Sequence, residues 1–206
     1  MTTKRLLLLL SGTAATVAVV AGCSSGNAAA PTSIPAPSPS AASLPHDGAP
    51  KVEHPLPASV LSGDPCQDAL TSDQLKQILG SAPQGKRDDN AALGRACNWD
   101  ADAGVGVGYD TQTHEGLSGV YANTKPQASV WHELKPIQGF PAAAHSSEKQ
   151  GAAQEFCQVS VGIRDDLSFD ASLYLSQANI GVADPCELAA RVADMVVTNL
   201  RQKAGG

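Results

Sequence analysis

The stretch FCQVSVGIRDDLSFDASLYL, residues 156–175, decides the fold. From Phe156 to Gly162, and again from Leu167 to Leu175, apolar and polar residues alternate with period two. That is the signature of strands with one buried face. Arg164-Asp165-Asp166 supplies the polar turn between them, so the stretch reads as a β-hairpin.

Asp184-Pro185-Cys186 follows downstream and opens a helix. Aspartate suits the N-cap, and proline suits the first helical position, where no N–H is needed. Leu188, Val192, Met195, Val196 and Leu200 then recur at helical spacing as a core-facing stripe. Asn199 edges that stripe with a polar group near the helix end.

Upstream, Arg95–Asp100 and Val105–Asp110 read as a second strand pair, joined through Ala101–Gly104. Leu117–Ala122 reads as a short helix. Val130–Leu134 and Phe140–Ala144 read as short strands around Gly139. Asp64-Pro65-Cys66 repeats the helix-opening pattern; Ser72 is the expected N-cap of a following helix and Gly80 its stop. Residues 81–94 read as loop. Strands joined by short turns make an antiparallel sheet. The expected fold is α+β: a largely antiparallel sheet packed against N-terminal and C-terminal helices in a single globular domain over residues 64–206.

Before that domain the composition changes. Lys4 and Arg5 precede an apolar run of about fifteen residues, roughly 22 Å as a helix and too short for a bilayer core of about 30 Å. It ends Val20-Ala21-Gly22-Cys23. Residues 1–22 thus read as a lipoprotein signal peptide, with Cys23 the lipidated residue of the processed chain. Of the 40 residues 24–63, eight are Pro, eight Ser and eight Ala, with no aromatic. Together with Cys23 they are expected to form a disordered tether, 23–63, dispensable for folding through residue 61. His46 and His54 within it read as solvated. The expected location is the extracytoplasmic face of the cell membrane, reached through the lipid anchor.

Net charge is −6, and processing removes two cations and no acids. An acidic chain lacks the basic stripe of a nucleic-acid binder and repels anionic lipid, so attachment falls to acyl chains.

Cys66, Cys97, Cys157 and Cys186 form an even set in an exported chain, which points to two disulfides stapling an aromatic-poor core. Three pairings are possible. Cys66–Cys97 with Cys157–Cys186 is favoured: each link joins a helix start to a strand nearby in sequence. Each closes about thirty residues, which constrains the unfolded chain by roughly 3.5 kcal/mol. The rival Cys66–Cys186 with Cys97–Cys157 closes longer loops but asks distant segments to approach within about 7 Å. The absence of C-x-x-C argues against zinc and thioredoxin-type chemistry.

Catalytic patterns are not found. His114, His132 and His145 form no H-x-x-x-H helix, and no G-x-S-x-G elbow occurs. No metal, cofactor or catalytic residue is assigned. Asp165, Asp166 and Asp170 lack the glycine and distal glutamate of a calcium loop and read as a solvated turn. Gly104, Gly106 and Gly108 alternate with Val105, Val107 and Tyr109, leaving one bare sheet face, expected to receive a helix in preference to a ligand. Trp99, beside a staple, reads as core. Trp131 reads as core in preference to groove.

The ordered set Asp64-Pro65-Cys66, Leu70-Thr71-x-x-x-Leu75, Gly80, Cys97-x-Trp99, Gly139-Phe140-Pro141-Ala142, Cys157 and Asp184-Pro185-Cys186 resembles an actinobacterial lipoprotein family of unknown function, the domain-of-unknown-function 3558 family. The resemblance implies a cell-envelope lipoprotein and supplies no catalytic residues. The expected role is a membrane-anchored binding or interaction module for an envelope protein or cell-wall component. The alternative is a carrier of a lipid or other apolar ligand in a cavity between sheet and helices.

If Cys23 carries the anchor, an alkyne fatty acid labels the wild-type chain in cells, and Cys23→Ala loses both the label and membrane association. Equal labelling of the variant would refute the lipidation.

Overall fold

The structure, a computed structural model, describes residues 43–148 and 154–205. The expected signal peptide, the expected lipidation site Cys23 and the expected tether up to residue 42 lie outside the described residues.

Seven strands form one sheet: β1 (Lys86–Arg87), β2 (Gly94–Asp100), β3 (Gly104–Asp110), β4 (Val130–Glu133), β5 (Ala142–Ser146), β6 (Phe156–Arg164) and β7 (Leu167–Tyr174). The order is β1-β2-β3-β7-β6-β5-β4, with every pair antiparallel. The chain builds one side as a meander and crosses to the far edge between β3 and β4. It then returns strand by strand until β7 closes against β3. The α+β class and the antiparallel sheet hold as the alternation implied.

The helices are α1 (Pro65–Asp68), α2 (Ser72–Leu79), α3 (Leu117–Gly119) and α4 (Pro185–Lys203). The N-cap of α2 is Thr71, not Ser72. Thr71 Oγ1 accepts from the Gln74 N–H, and the Gln74 side chain accepts from the Thr71 N–H, a reciprocal capping box. Gly80 ends the helix in the left-handed conformation, φ 74°.

The front face of the sheet carries the core. Trp99, Val105, Val107, Tyr109, Val159, Val161, Phe169 and Leu173 are all at most 2% exposed, and they meet Ala189, Val192, Ala193, Val196, Val197 and Leu200 of α4. Both disulfides stand on this face. Cys66–Cys97 ties α1 to β2, and Cys157–Cys186 ties α4 to β6, each with Cα atoms 5.0 Å apart. In both helix starts the capping aspartate, Asp64 or Asp184, accepts the N–H of the bonded cysteine. Asn199, on the rim of the α4 stripe, donates to the Ala69 carbonyl and to Gln74 Oε1, both at 2.8 Å, and so joins α4 to the α2 cap. Tyr109 donates its hydroxyl to Asp68 at 2.9 Å, and Lys203 Nζ reaches the Val60 carbonyl and Asp68.

The tether expectation is corrected from Ser43 onward: residues 43–63 pack as part of the domain. Val52, Val60 and Leu61 are 5%, 1% and 2% exposed. His46 is not free, since its N–H donates to Ser118 Oγ and its ring contacts Asp47; His54 is exposed as expected. The Val52 N–H donates to Asp165 Oδ1 at 2.8 Å, and the Leu56 N–H to the Ile163 carbonyl at 3.1 Å. Asp165 therefore anchors this strap, while Asp166 pairs with Arg164. The composition conceals the strap because its few apolar residues have no period. They find their sites only through the β6–β7 turn and α4.

Burying three aliphatic side chains contributes roughly 1.5–3 kcal/mol each. A chain beginning at Ser62 should therefore melt on the order of 10 °C or more below one beginning at Ser43. Coincident melting curves would show that the strap contributes nothing.

Candidate functional site

The back face of the sheet has opposite chemistry. Its residues are the alternate set along each strand: Asn98, Gly106, Ser172, Gln158 and His145 in one row, and Ala96, Gly108, Asp170, Ser160 and Ala143 in the next. Half of this face is covered. Leu117 and Val52 lie close against Gly162, and Ala49, Leu117, Tyr121 and Ala143 form a small apolar cluster flanked by Val120 and Trp131. Trp131 meets Tyr121 edge-on at 5.1 Å and stacks on His145 at 5.9 Å, so its role is packing.

The other half is open and polar. Two hollows adjoin there, sharing Phe156 and Gln158 in their walls. One, of about 340 Å³, lies between β5–β6 and the turn after α3, and takes Asn123, Thr124, Gln127 and His145. That turn winds as a π-helix over Val120–Thr124, a rare wide form frequent at functional sites. The other hollow, of about 290 Å³, crosses β2, β3 and β7 over Asn98, Gly104, Gly106 and Ser172. Its floor depends on glycine. A β-carbon at Gly106 would sit 2.5 Å from Ser172 Oγ and 2.6 Å from Asn98 Oδ1, so any larger residue would push both side chains out of place. The expectation that a helix covers the glycine face is thus corrected. Helix α4 packs on the valine and tyrosine side, and at Gly104 and Gly106 the back face is open. Tyr174, 55% exposed, leans on Phe156 with ring centroids 4.4 Å apart and forms the rim.

Beside the hollows, in the next row of the same face, a polar chain runs from buried His145 and Ser160 to half-buried Asp170. His145 Nε2 is 3.0 Å from Ser160 Oγ, and Ser160 donates to Asp170 Oδ1 at 2.5 Å. Because the single hydroxyl proton goes to Asp170, His145 is the N–H donor to Ser160. In a hydrolase triad histidine stands between serine and acid; here serine stands between, and its oxygen is fully buried. The set is therefore a structural relay and not a nucleophile. Burial lowers the His145 pKa to about 4 and raises that of Asp170 against hydrogen bonds from Ser160 and Gln158. Burial, reinforced by the Asp170 charge, likewise raises Asp110.

His114 and His132 stand apart from this chain, His114 in a left-handed loop position and His132 on the edge strand. Among the described residues no three His, Cys, Asp or Glu side chains cluster as metal ligands, and no helix is long and apolar enough to cross a membrane. The four domain cysteines are consumed in the two disulfides. Asn98, Gln158 and Ser172 were not singled out by sequence reasoning. Their signal was the outward set of the same alternation that located the core.

The family model described as "Protein of unknown function (DUF3558)" matches residues 18–199. The chain belongs to this family. No curated protein and no solved structure matches it. The DUF3558 match spans all seven strands and α4 as far as Asn199, so the back-face hollows lie wholly inside it.

A histidine held below its unfolded value of about 6.5 lets the unfolded chain bind a proton first. Stability from His145 is full above about pH 6.5 and is lost as pH falls toward 4. Between those limits the wild type should lose roughly 3 kcal/mol relative to His145→Gln, read by urea denaturation at each pH. Parallel pH profiles would show that His145 is not held neutral.

Proposed function

We propose that this protein is a binding module held at the outer face of the cell membrane by a lipid on Cys23, and that it binds with the open half of its back sheet face. The observation that carries the reading is the pair of adjoining polar hollows, one of them floored by Gly104 and Gly106. Side chains on an ordinary solvated sheet face are longer and charged; here the strands present glycine, serine and amides around a concavity. Tethering suits such a module, because it keeps the surface near envelope components without committing it to the bilayer.

The carrier reading asks for space between sheet and helices. That interface is instead lined by side chains that are nearly all fully buried in one continuous cluster, which favours surface binding.

The test is native mass spectrometry of the mature chain, recovered in mild detergent from its own cells, beside Gln158→Ala and Gly106→Val. A bound species on the wild type that both variants lose supports the reading. The same species on all three, or none on the wild type, overturns it.

A further inference from the structure

Resting on that reading of the back face, we infer that the hollows take an uncharged polyhydroxylated chain, a neutral oligosaccharide. Three exclusions and one match lead there. No lysine or arginine is among the residues lining either hollow, and His145, with its pKa lowered to about 4, is uncharged at neutral pH. A phosphate, an acidic headgroup or a nucleic acid would meet no countercharge. At the far end Asp100 pairs with Lys86 at 3.2 Å and Asp88 accepts only from the neutral Asn98 amide at 3.0 Å, so the carboxylates there disfavour an anion further.

An apolar ligand would strip water from the amide groups of Asn98 and Gln158 that Asp88 and Asp170 do not pair, which costs several kcal/mol. A peptide added as a strand needs the free backbone groups of a sheet edge. Here the surface is a pleated face whose backbone groups are spent on the ladders of β2, β3, β7, β6 and β5.

Sugar hydroxyls fit what remains. Each hydroxyl both donates and accepts, and each amide keeps a carbonyl acceptor and a second N–H beside the bond it makes to Asp88 or Asp170. Asn98 and Gln158 stand in the same cross-strand row, with the Ser172 hydroxyl between them and bare Gly106 beside it. The row continues to His145 and spans four strand spacings, about 19 Å, long enough for a chain of rings and not for a single one. The half-exposed Tyr174 ring, braced by Phe156, gives a flat apolar surface on which the C–H face of a ring can pack.

Neutral oligosaccharides released by mild acid from the producing cells' own envelope, tagged at the reducing end, are titrated against the mature chain by fluorescence anisotropy. The expected result is binding that Tyr174→Ala and Gln158→Ala each weaken roughly tenfold, Tyr174→Ala with unchanged melting temperature. Periodate, which cleaves vicinal diols, should abolish it. Tyr174 is exposed, so its variant folds even if Gly106→Val does not. Binding that survives periodate or ignores both variants overturns the sugar inference. So does no binding, and if the wild type still holds a species that Gln158→Ala loses, the back face remains a binding surface for another chemistry.

Discussion

Two covalent staples on one face of the sheet set the terms for everything else. Cys66–Cys97 and Cys157–Cys186 fix the starts of α1 and α4 to β2 and β6, on either side of the central pair β3–β7. With so few aromatics, the core depends on close packing of valine, alanine and leucine. Such packing requires the helices to be held at the right height over the sheet. Each staple sits at an Asp-Pro-Cys start, where the aspartate turns the chain and the proline sets the first φ. One local device is used twice. The result is that most large apolar residues of the strands are claimed by the front face.

That division frees the back face. A sheet that must bury only one side can place glycine, serine and amides on the other without losing its core. The strap, α3 and the π-helical turn after it cover part of it. The chain His145–Ser160–Asp170 borders the uncovered part, and its directed hydrogen bonds, with the one from Gln158 to Asp170, orient Gln158 in a way that apolar packing would not.

Much of the architecture was legible because it rests on local rules. The alternation in Phe156–Leu175, the stripe from Leu188 to Leu200, the Asp-Pro-Cys starts and the pairing of neighbouring cysteines all express short-range geometry. What was not legible is tertiary. The strap 43–63 has a linker's composition, and Val52 is buried only because Asp165 receives its N–H and Gly162 leaves room for it. The shift of the α2 cap from Ser72 to Thr71 turns on a Gln74 that also serves Asn199, 125 residues away. The glycine row announced a bare face, but which side the helix takes depends on where the valines point, and that is settled only when α4 docks.

The strap also has a mechanical meaning. In a chain held by its N-terminal end, tension enters the domain at Ser43 and loads the strap first, through the bonds from His46, Val52 and Leu56. These can be peeled one after another while the sheet stays intact. At Cys66 the peeling stops, because the disulfide transfers the load to β2 inside the sheet. The domain thus has a yielding segment in series with a covalent arrest, and a pull that frees the strap releases Val52 and His46 from the covered half of the back face before it disturbs the core.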